Sequence, residues 1–225
     1  MKNIDSMRDD AYQQIKYKII HFEFMPGQKI SEKTLSTEFH LGRTPVREAL
    51  IRIEREGLIQ VIPQSGTYIT PIDMSEAEEG RFVRECIEPK IMMNAAVSIT
   101  PASVAFLRNN LERQRITAEN SQPDAFFDLD QSFHHEFYHT IGKDLAWDWL
   151  QINNTQLNRY RRLRLKELEL DWNTLLNQHR QIFKSLMDKR LDDLNYFMAE
   201  HLHLMLVEKQ KVLDAYPDYF VGYEK

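Results

Sequence analysis

Apolar residues recur along this chain in two different rhythms, and the rhythm changes near residue 72. Between about Asp9 and Phe24, the residues Tyr12, Ile15, Ile19 and Phe22 stand three or four apart. That spacing places side chains on one face of a helix, which Pro26-Gly27 then closes. Ser31 can cap a second short helix running through Leu35 to Phe39. A third is predicted from near Arg43 to Gly57, a glycine suited to the left-handed position after a helix. LIQVI and TYIT, rich in β-branched residues and separated by PQSG, predict a hairpin with Gly66 at its tip.

From Ser75 to about Asp214 the texture changes: proline and glycine are scarce and helical spacing is continuous. Six helices are predicted, at about 75–97, 101–119, 123–141, 143–168, 171–188 and 190–214. Pro89 lies inside the first of these and should kink it, freeing the carbonyl of Glu85. The chain therefore reads as mainly α. Residues 1–72 form a small domain of three helices plus a β-hairpin, and residues 73–225 an all-α antiparallel bundle of about six helices.

Charge changes this picture only when it is localised. The net charge of −5 argues against a nucleic-acid partner on average, but residues 1–72 carry +1 and residues 73–225 carry −6. What matters is which face the cations occupy. No apolar run approaches the ~20 residues that span a bilayer, and MKNIDSMRDD is not a signal peptide. The single cysteine, Cys86, excludes a disulfide framework and a cysteine-rich zinc ribbon. A cytoplasmic protein without a membrane partner is expected.

The third helix places its cations on one side. At about 100° per residue, Val46, Ala49, Leu50 and Ile53 share an arc that must face the core, while Arg43, Thr44 and Arg47 share a separate arc in the first turn. Pro45 presets the backbone near the helix start. A helix whose first turn exposes arginines can enter the major groove, pairing with guanine or clamping phosphate. An ordinary solvated helix face is the competing reading, and the two preceding helices and following hairpin weigh against it.

LSTEFHLGRTPVREAL followed by EGLIQVIPQSGTYIT closely resembles the winged helix-turn-helix of the GntR family of bacterial transcription regulators. Leu35 and the run Arg43 to Leu50 match the family pattern. The resemblance implies double-stranded operator DNA as partner, contacted by Arg43, Thr44 and Arg47, by Lys33 of the preceding helix, and by the wing around Gly66. Two positions depart from the pattern: His40 stands for the turn glycine and Gly42 for the capping serine. Histidine tolerates positive φ better than most residues, so the turn should form; losing the serine weakens the cap.

The bundle carries DAFFDLDQSFHHEFYHTIG, NQHRQIF and AEHLHLM. Phe126, Leu129, Phe133, Phe137 and Thr140 define one helical face. Asp130 and His134 fall beside it, while His135 and His139 fall opposite. The same count turns His179 and His201 inward and His203 outward. Asp130 and His134, four apart, suit two ligands of one ion. Three imidazoles and a carboxylate suit Zn²⁺, with Ni²⁺ or Mn²⁺ as other candidates, and leave open positions for a ligand. Core histidines bonded to local carbonyls are the simpler alternative for any one of them; burying three without a ligand is costly.

D-x-x-x-H, a later H-R-x-I and a final H-L resemble the FCD domain that follows the winged helix in the FadR-type branch of GntR regulators. The resemblance implies a metal held by Asp130, His134, His179 and His201 at the floor of an effector pocket. Six bundle helices look more like its VanR subgroup than the seven-helix members. RECIEP resembles the R-x-x-x-E of the first bundle helix, which makes Arg84 a candidate for an effector carboxylate; a salt bridge with Glu88 is equally compatible with the spacing. The family's asparagine after the metal helix is absent, Lys143 and Asp144 standing in that region. The expected function is a homodimeric regulator, a repressor, controlled by a small organic or sugar acid. The alternatives are a metal-dependent enzyme or a structural metal bundle fused to a DNA-binding module; for the enzyme a general base is lacking, since Glu136 faces outward.

Overall fold

The computed structural model describes residues 4–167 and 171–222. The chain forms two compact units: one reaches Met74 and is completed by the segment from Pro217, and the other runs from Ser75 to Tyr216.

In the first unit, α1 (Ile4–Ile20), α2 (Glu32–Glu38) and α3 (Arg43–Arg55) enclose a core in which Ile15, Ile19, Val46, Ala49 and Ile53 are fully buried. α1 ends before Phe24 because Phe22 adopts φ 58°, with Glu23 N–H donating to Lys18 O at 2.9 Å and Phe22 N–H to Ile19 O at 3.2 Å. This is a Schellman ending with a non-glycine residue in the left-handed position. Gly57 closes α3 in the same way, at φ 69°. Ser31 caps α2 as its sequence position predicted, its hydroxyl accepting from Thr34 N–H at 3.1 Å.

The predicted hairpin is present as β2 (Ile59–Ile62) and β3 (Gly66–Ile69), with a short third strand, β1 (Lys29–Ile30), on the other side of β3. Gly66 is not at its tip. The turn is residues 63–65, with Gln64 at φ 62° and Ser65 N–H donating to Ile62 O at 3.0 Å. Gly66 opens β3 opposite Ile62, at φ 141°, and a Cβ there would lie 2.5 Å from Lys29 Cε. The flexible end of the lysine can move aside, so it is the backbone conformation that needs glycine here.

The segment following the bundle returns to this unit. Ile72 N–H donates to Tyr219 O at 2.7 Å and Val221 N–H to Ile72 O at 3.0 Å, forming a parallel bridge between Ile72 and Phe220. The Tyr219 ring lies 5.6 Å from Phe22, and Phe220 is buried. A continuous domain over 73–225 was expected; in the structure the segment from Pro217 belongs to the first compact unit. The pairing is long-range, and local periodicity carries no signal for it.

The second unit contains seven described helices rather than the six expected: α4 (Met74–Ser98), α5 (Pro101–Glu119), α6 (Pro123–Thr140), α7 (Asp144–Asn153), α8 (Thr155–Lys166), α9 (Trp172–Met187) and α10 (Leu191–Ala215). The segment predicted as one helix over 143–168 divides at Asn154; residue 168 itself lies outside the described residues. In Asn153-Asn154-Thr155, three consecutive side chains compete with the backbone for hydrogen bonds, which weakens a helix. Asn154 is buried and its carbonyl accepts from Asn158 N–H at 2.8 Å, starting α8 afresh. The helix count that favoured the VanR subgroup falls with this division. α4 continues through Pro89. Met92, Phe133, Phe137, Ile182, Leu194 and Met198 form the centre of the bundle core.

If the returning segment stabilises the first unit, Phe220→Ala should lower its unfolding free energy by about 3 kcal/mol, the usual cost of emptying a buried phenylalanine site. Urea denaturation will measure this, and exposed Val221→Ala should stay within about 0.5 kcal/mol of the parent.

Candidate metal centre and nucleic-acid face

Three helices deliver the four inward residues to one place. α6 supplies Asp130 and His134 one turn apart, α9 supplies His179 and α10 supplies His201. All four are buried, and one ligand atom from each lies within 4.8 Å of the others. The histidines that helical phase turned away stay away. His203 is exposed, and His135 and His139 sit near the surface on Asp144 Oδ1, at 2.9 and 3.1 Å.

The second nitrogen of each inward ring is committed. His134 Nδ1 faces Glu88 Oε2 at 2.7 Å, His179 Nδ1 faces Gln114 Oε1 at 2.8 Å, and His201 Nδ1 faces Gln178 Oε1 at 3.1 Å. Each of those oxygens is an acceptor, so the network assigns the ring proton to Nδ1 in all three. Nε2 then carries a bare lone pair. His134 Nε2 and His179 Nε2 lie 3.2 and 3.4 Å from His201 Nε2, and Asp130 Oδ1 lies 3.5 Å from His179 Nε2. Lone pairs this close repel unless a cation lies among them. Burial pushes His179 down to about 3 and His201 well below its ordinary range, so neither of these two rings readily takes a proton into the gap. The donor set could hold a divalent transition metal, and the Nδ1 bonds are the outer contacts that orient imidazole ligands.

A ring of opposite charges surrounds this set. Burial would raise the carboxyl of Asp130, but the Arg161 guanidinium and the histidines hold it well below the usual range, and its Oδ2 accepts from Arg161. Burial acts likewise on Glu88, where Arg84 and His134 prevail and bring it down to about 2. Arg84 was expected either on a ligand or on Glu88. It is buried and pairs with Glu88, Nε to Oε1 at 2.6 Å, and it also lines a cavity of about 50 Å³. Asp130, His201 and Arg161 share that lining, with Phe127, Leu157 and Tyr160 on its apolar side. Sequence reasoning named Glu88 only as a salt-bridge partner and missed Arg161, Gln114 and Gln178. The four-residue spacing from Arg84 signalled the Arg84–Glu88 pair; nothing local signalled that Glu88 also orients His134.

On the first unit, Lys33, Arg43, Thr44 and Arg47 are all exposed, the last three in the opening turns of α3. Arg47 is only 4.0 Å from Glu32, a weak exposed pair. His40 adopts φ 55°, and Leu41 N–H donates to Ser36 O at 3.2 Å, so the turn between α2 and α3 forms without its glycine. Gly42 precedes α3 with no side-chain cap, leaving that helix start to an external acceptor.

Residues 7–69 match the family model of bacterial regulatory proteins, gntR family, and residues 81–204 match that of the FCD domain. The chain belongs to the GntR family. It is 34% identical over 214 residues to the HTH-type transcriptional repressor RspR of Escherichia coli (strain K12), spanning 95% of this chain and 93% of that one. It is 25% identical over 186 residues to the Nta operon transcriptional regulator of Aminobacter aminovorans, spanning 81% and 85%. E. coli McbR/YncC superposes with a TM-score of 0.78 over 94% of this chain and 99% of that one, at 17% identity, a likeness of fold. GntR regulators bind operator DNA and dimerise. The family and the relatives are transcription regulators, which removes the enzyme alternative: the chain is a DNA-binding transcription regulator. No helix among the described residues is long and apolar enough to cross a membrane.

If the four residues hold an ion, Glu88→Gln should weaken its binding, with Zn²⁺ as the probe, by about 10- to 100-fold, the usual effect of losing an outer contact, because Glu88 orients His134. Competition with a chromophoric chelator measures this. The surface variant His139→Ala should leave the affinity unchanged.

Proposed function

We propose that this GntR regulator is a cytoplasmic homodimeric repressor whose operator affinity is set by a small carboxylate coordinated to a divalent metal in the bundle. The convergence of three Nε2 atoms and Asp130 Oδ1, with every Nδ1 tied to an oxygen, carries this reading. Asp130, His134, His179 and His201 would hold the ion. Zn²⁺ suits three imidazoles and one carboxylate, and Ni²⁺ or Mn²⁺ would also be accommodated. The ion supplies a Lewis-acidic anchor for an anionic oxygen. The chain's own residues do the rest: Arg161 fixes Asp130, Glu88 fixes His134, and the small cavity beside them admits an organic or sugar acid of few atoms. Repression is supported by the printed name of the relative RspR.

On the DNA side, Arg43, Thr44 and Arg47 would face the major groove, Lys33 a phosphate, and the wing around Gly66 the neighbouring groove. Two winged helices related by a two-fold axis match a palindromic operator. An effector alters operator affinity only as far as it prefers one arrangement of the pair over the other.

Arg43→Ala and Arg47→Ala should each abolish specific operator binding in a gel-shift assay while leaving the melting temperature within a few degrees. Retained operator affinity in both variants would overturn the recognition-helix assignment. Chelator-stripped protein should be stabilised by Zn²⁺, and further by the effector, which at 100 times its Kd adds roughly 2.7 kcal/mol. Loss of the Zn²⁺ response in His179→Ala is the expected control, and a melting temperature indifferent to every metal would reduce the four residues to core polar groups.

A further inference from the structure

One face of the bundle, outside the four-residue cluster, carries large apolar side chains into water. On α4, Phe82 is 55% exposed, and Val83, Cys86 and Ile87 are exposed beside it. On α7, Trp149 is 61% exposed. Val83, Ile87 and Trp149 line a groove of about 580 Å³ between the two helices, with buried Leu150 also in its lining. Single exposed apolar residues are ordinary, but aromatic and aliphatic residues gathered around one groove mark a surface that another chain covers.

The order of residues on α4 says what that chain is. Val83 and Cys86 stand equally far from the midpoint between Arg84 and Glu85, as do Phe82 and Ile87, and as do Glu79 and Lys90. Glu79, Val83, Cys86 and Lys90 are all exposed, opposite buried Arg84 and Glu88. At about 100° per residue they share roughly 60° of arc. A second copy related by a two-fold axis at that midpoint lies antiparallel on this face. It sets Val83 against the partner's Cys86 and Glu79 against the partner's Lys90, and each contact occurs twice. Opposite charges then meet at both ends of an apolar centre. A parallel pair would instead set Glu79 against Glu79 and Lys90 against Lys90, like charges that repel. The antiparallel two-fold also keeps α7 on the same side of the seam in both copies, so the two grooves open onto each other.

We propose that this face is the interface between two copies of the chain, α4 packing antiparallel on α4 about the Arg84–Glu85 midpoint. The inference rests on the homodimer proposed above and names its surface and register.

The test is the dimer dissociation constant of the full chain by analytical ultracentrifugation. Glu79→Lys and Lys90→Glu each place like charges together twice, and each should weaken the dimer about tenfold or more. Combined, the two substitutions exchange the charges and should restore it, a rescue that general damage to the fold would not give. Cys86 is the single cysteine of the chain. Its two copies would be staggered by three residues, ~4.5 Å along the helix axis, so oxidation with copper-phenanthroline should link the dimer covalently, and Cys86→Ser should stay unlinked. Single variants that dimerise like the parent, losses that the double variant does not recover, or a parent dimer that oxidation leaves unlinked would each overturn this interface and leave the homodimer standing. A monomeric parent would overturn both.

Discussion

Three imidazole lone pairs turned toward one point is the constraint on which the bundle's chemistry depends. An imidazole in a core is ordinary when each nitrogen finds a local partner, and the cost of burying it is then small. Here only Nδ1 does so. Glu88, Gln114 and Gln178 reach the rings from α4, α5 and α9, so the proton positions are set by elements other than the ones carrying most of the rings. The result is a preset donor cluster in an apolar bundle, stacked against Phe133, whose ring lies 4.5 Å from that of His179. Such a cluster is unfavourable as an empty polar void and favourable around a cation, and this difference gives it a use.

The charges around it follow the same logic on a larger scale. Each arginine of the cavity is neutralised by a carboxylate, two of them within α4, by Glu85 and Glu88, and two from another helix: Arg161 of α8 by Asp130 of α6, Arg164 of α8 by Glu208 of α10. Pairs of this kind add little net stability, because desolvation offsets attraction, but they fix where helices meet. α8 is dense in such arginines, and Arg162 adds ion pairs to Asp124 and Asp128. The division of α7 from α8 at Asn154 allows that helix its own direction, which a single straight helix over the same residues would not.

The first unit depends on a different device, helix ends in the left-handed conformation without glycine. Phe22 and His40 both take positive φ, and each closes a helix by returning the next N–H to a carbonyl five residues back. For His40 this preserves the tight turn that delivers Arg43, Thr44 and Arg47 to one exposed end. Gly66, by contrast, is needed as a glycine, since its φ of 141° is one that residues with a side chain rarely adopt.

Much of this was legible in residue order. Helical phase separated His134 from His135 and His201 from His203, because a rotation of 100° per residue decides which neighbour faces the core. It likewise placed Val46, Ala49 and Ile53 in the core of the first unit, where all are fully buried. The local signals at Ser31 and Gly57 fixed a cap and a helix end. Phase alone says that a side chain turns inward, without saying what it meets there. The pairing of Asp130 with Arg161, the acceptor on each Nδ1, the return of Phe220 to Ile72 and the break at Asn154 all join residues distant in sequence or depend on competition with tertiary packing. The sequence by itself determined most of the elements, their buried faces and the donor types, because these follow from local stereochemistry and polarity. Only the tertiary structure decided which donors converge and which charges cancel, because those depend on how separate helices come together in space.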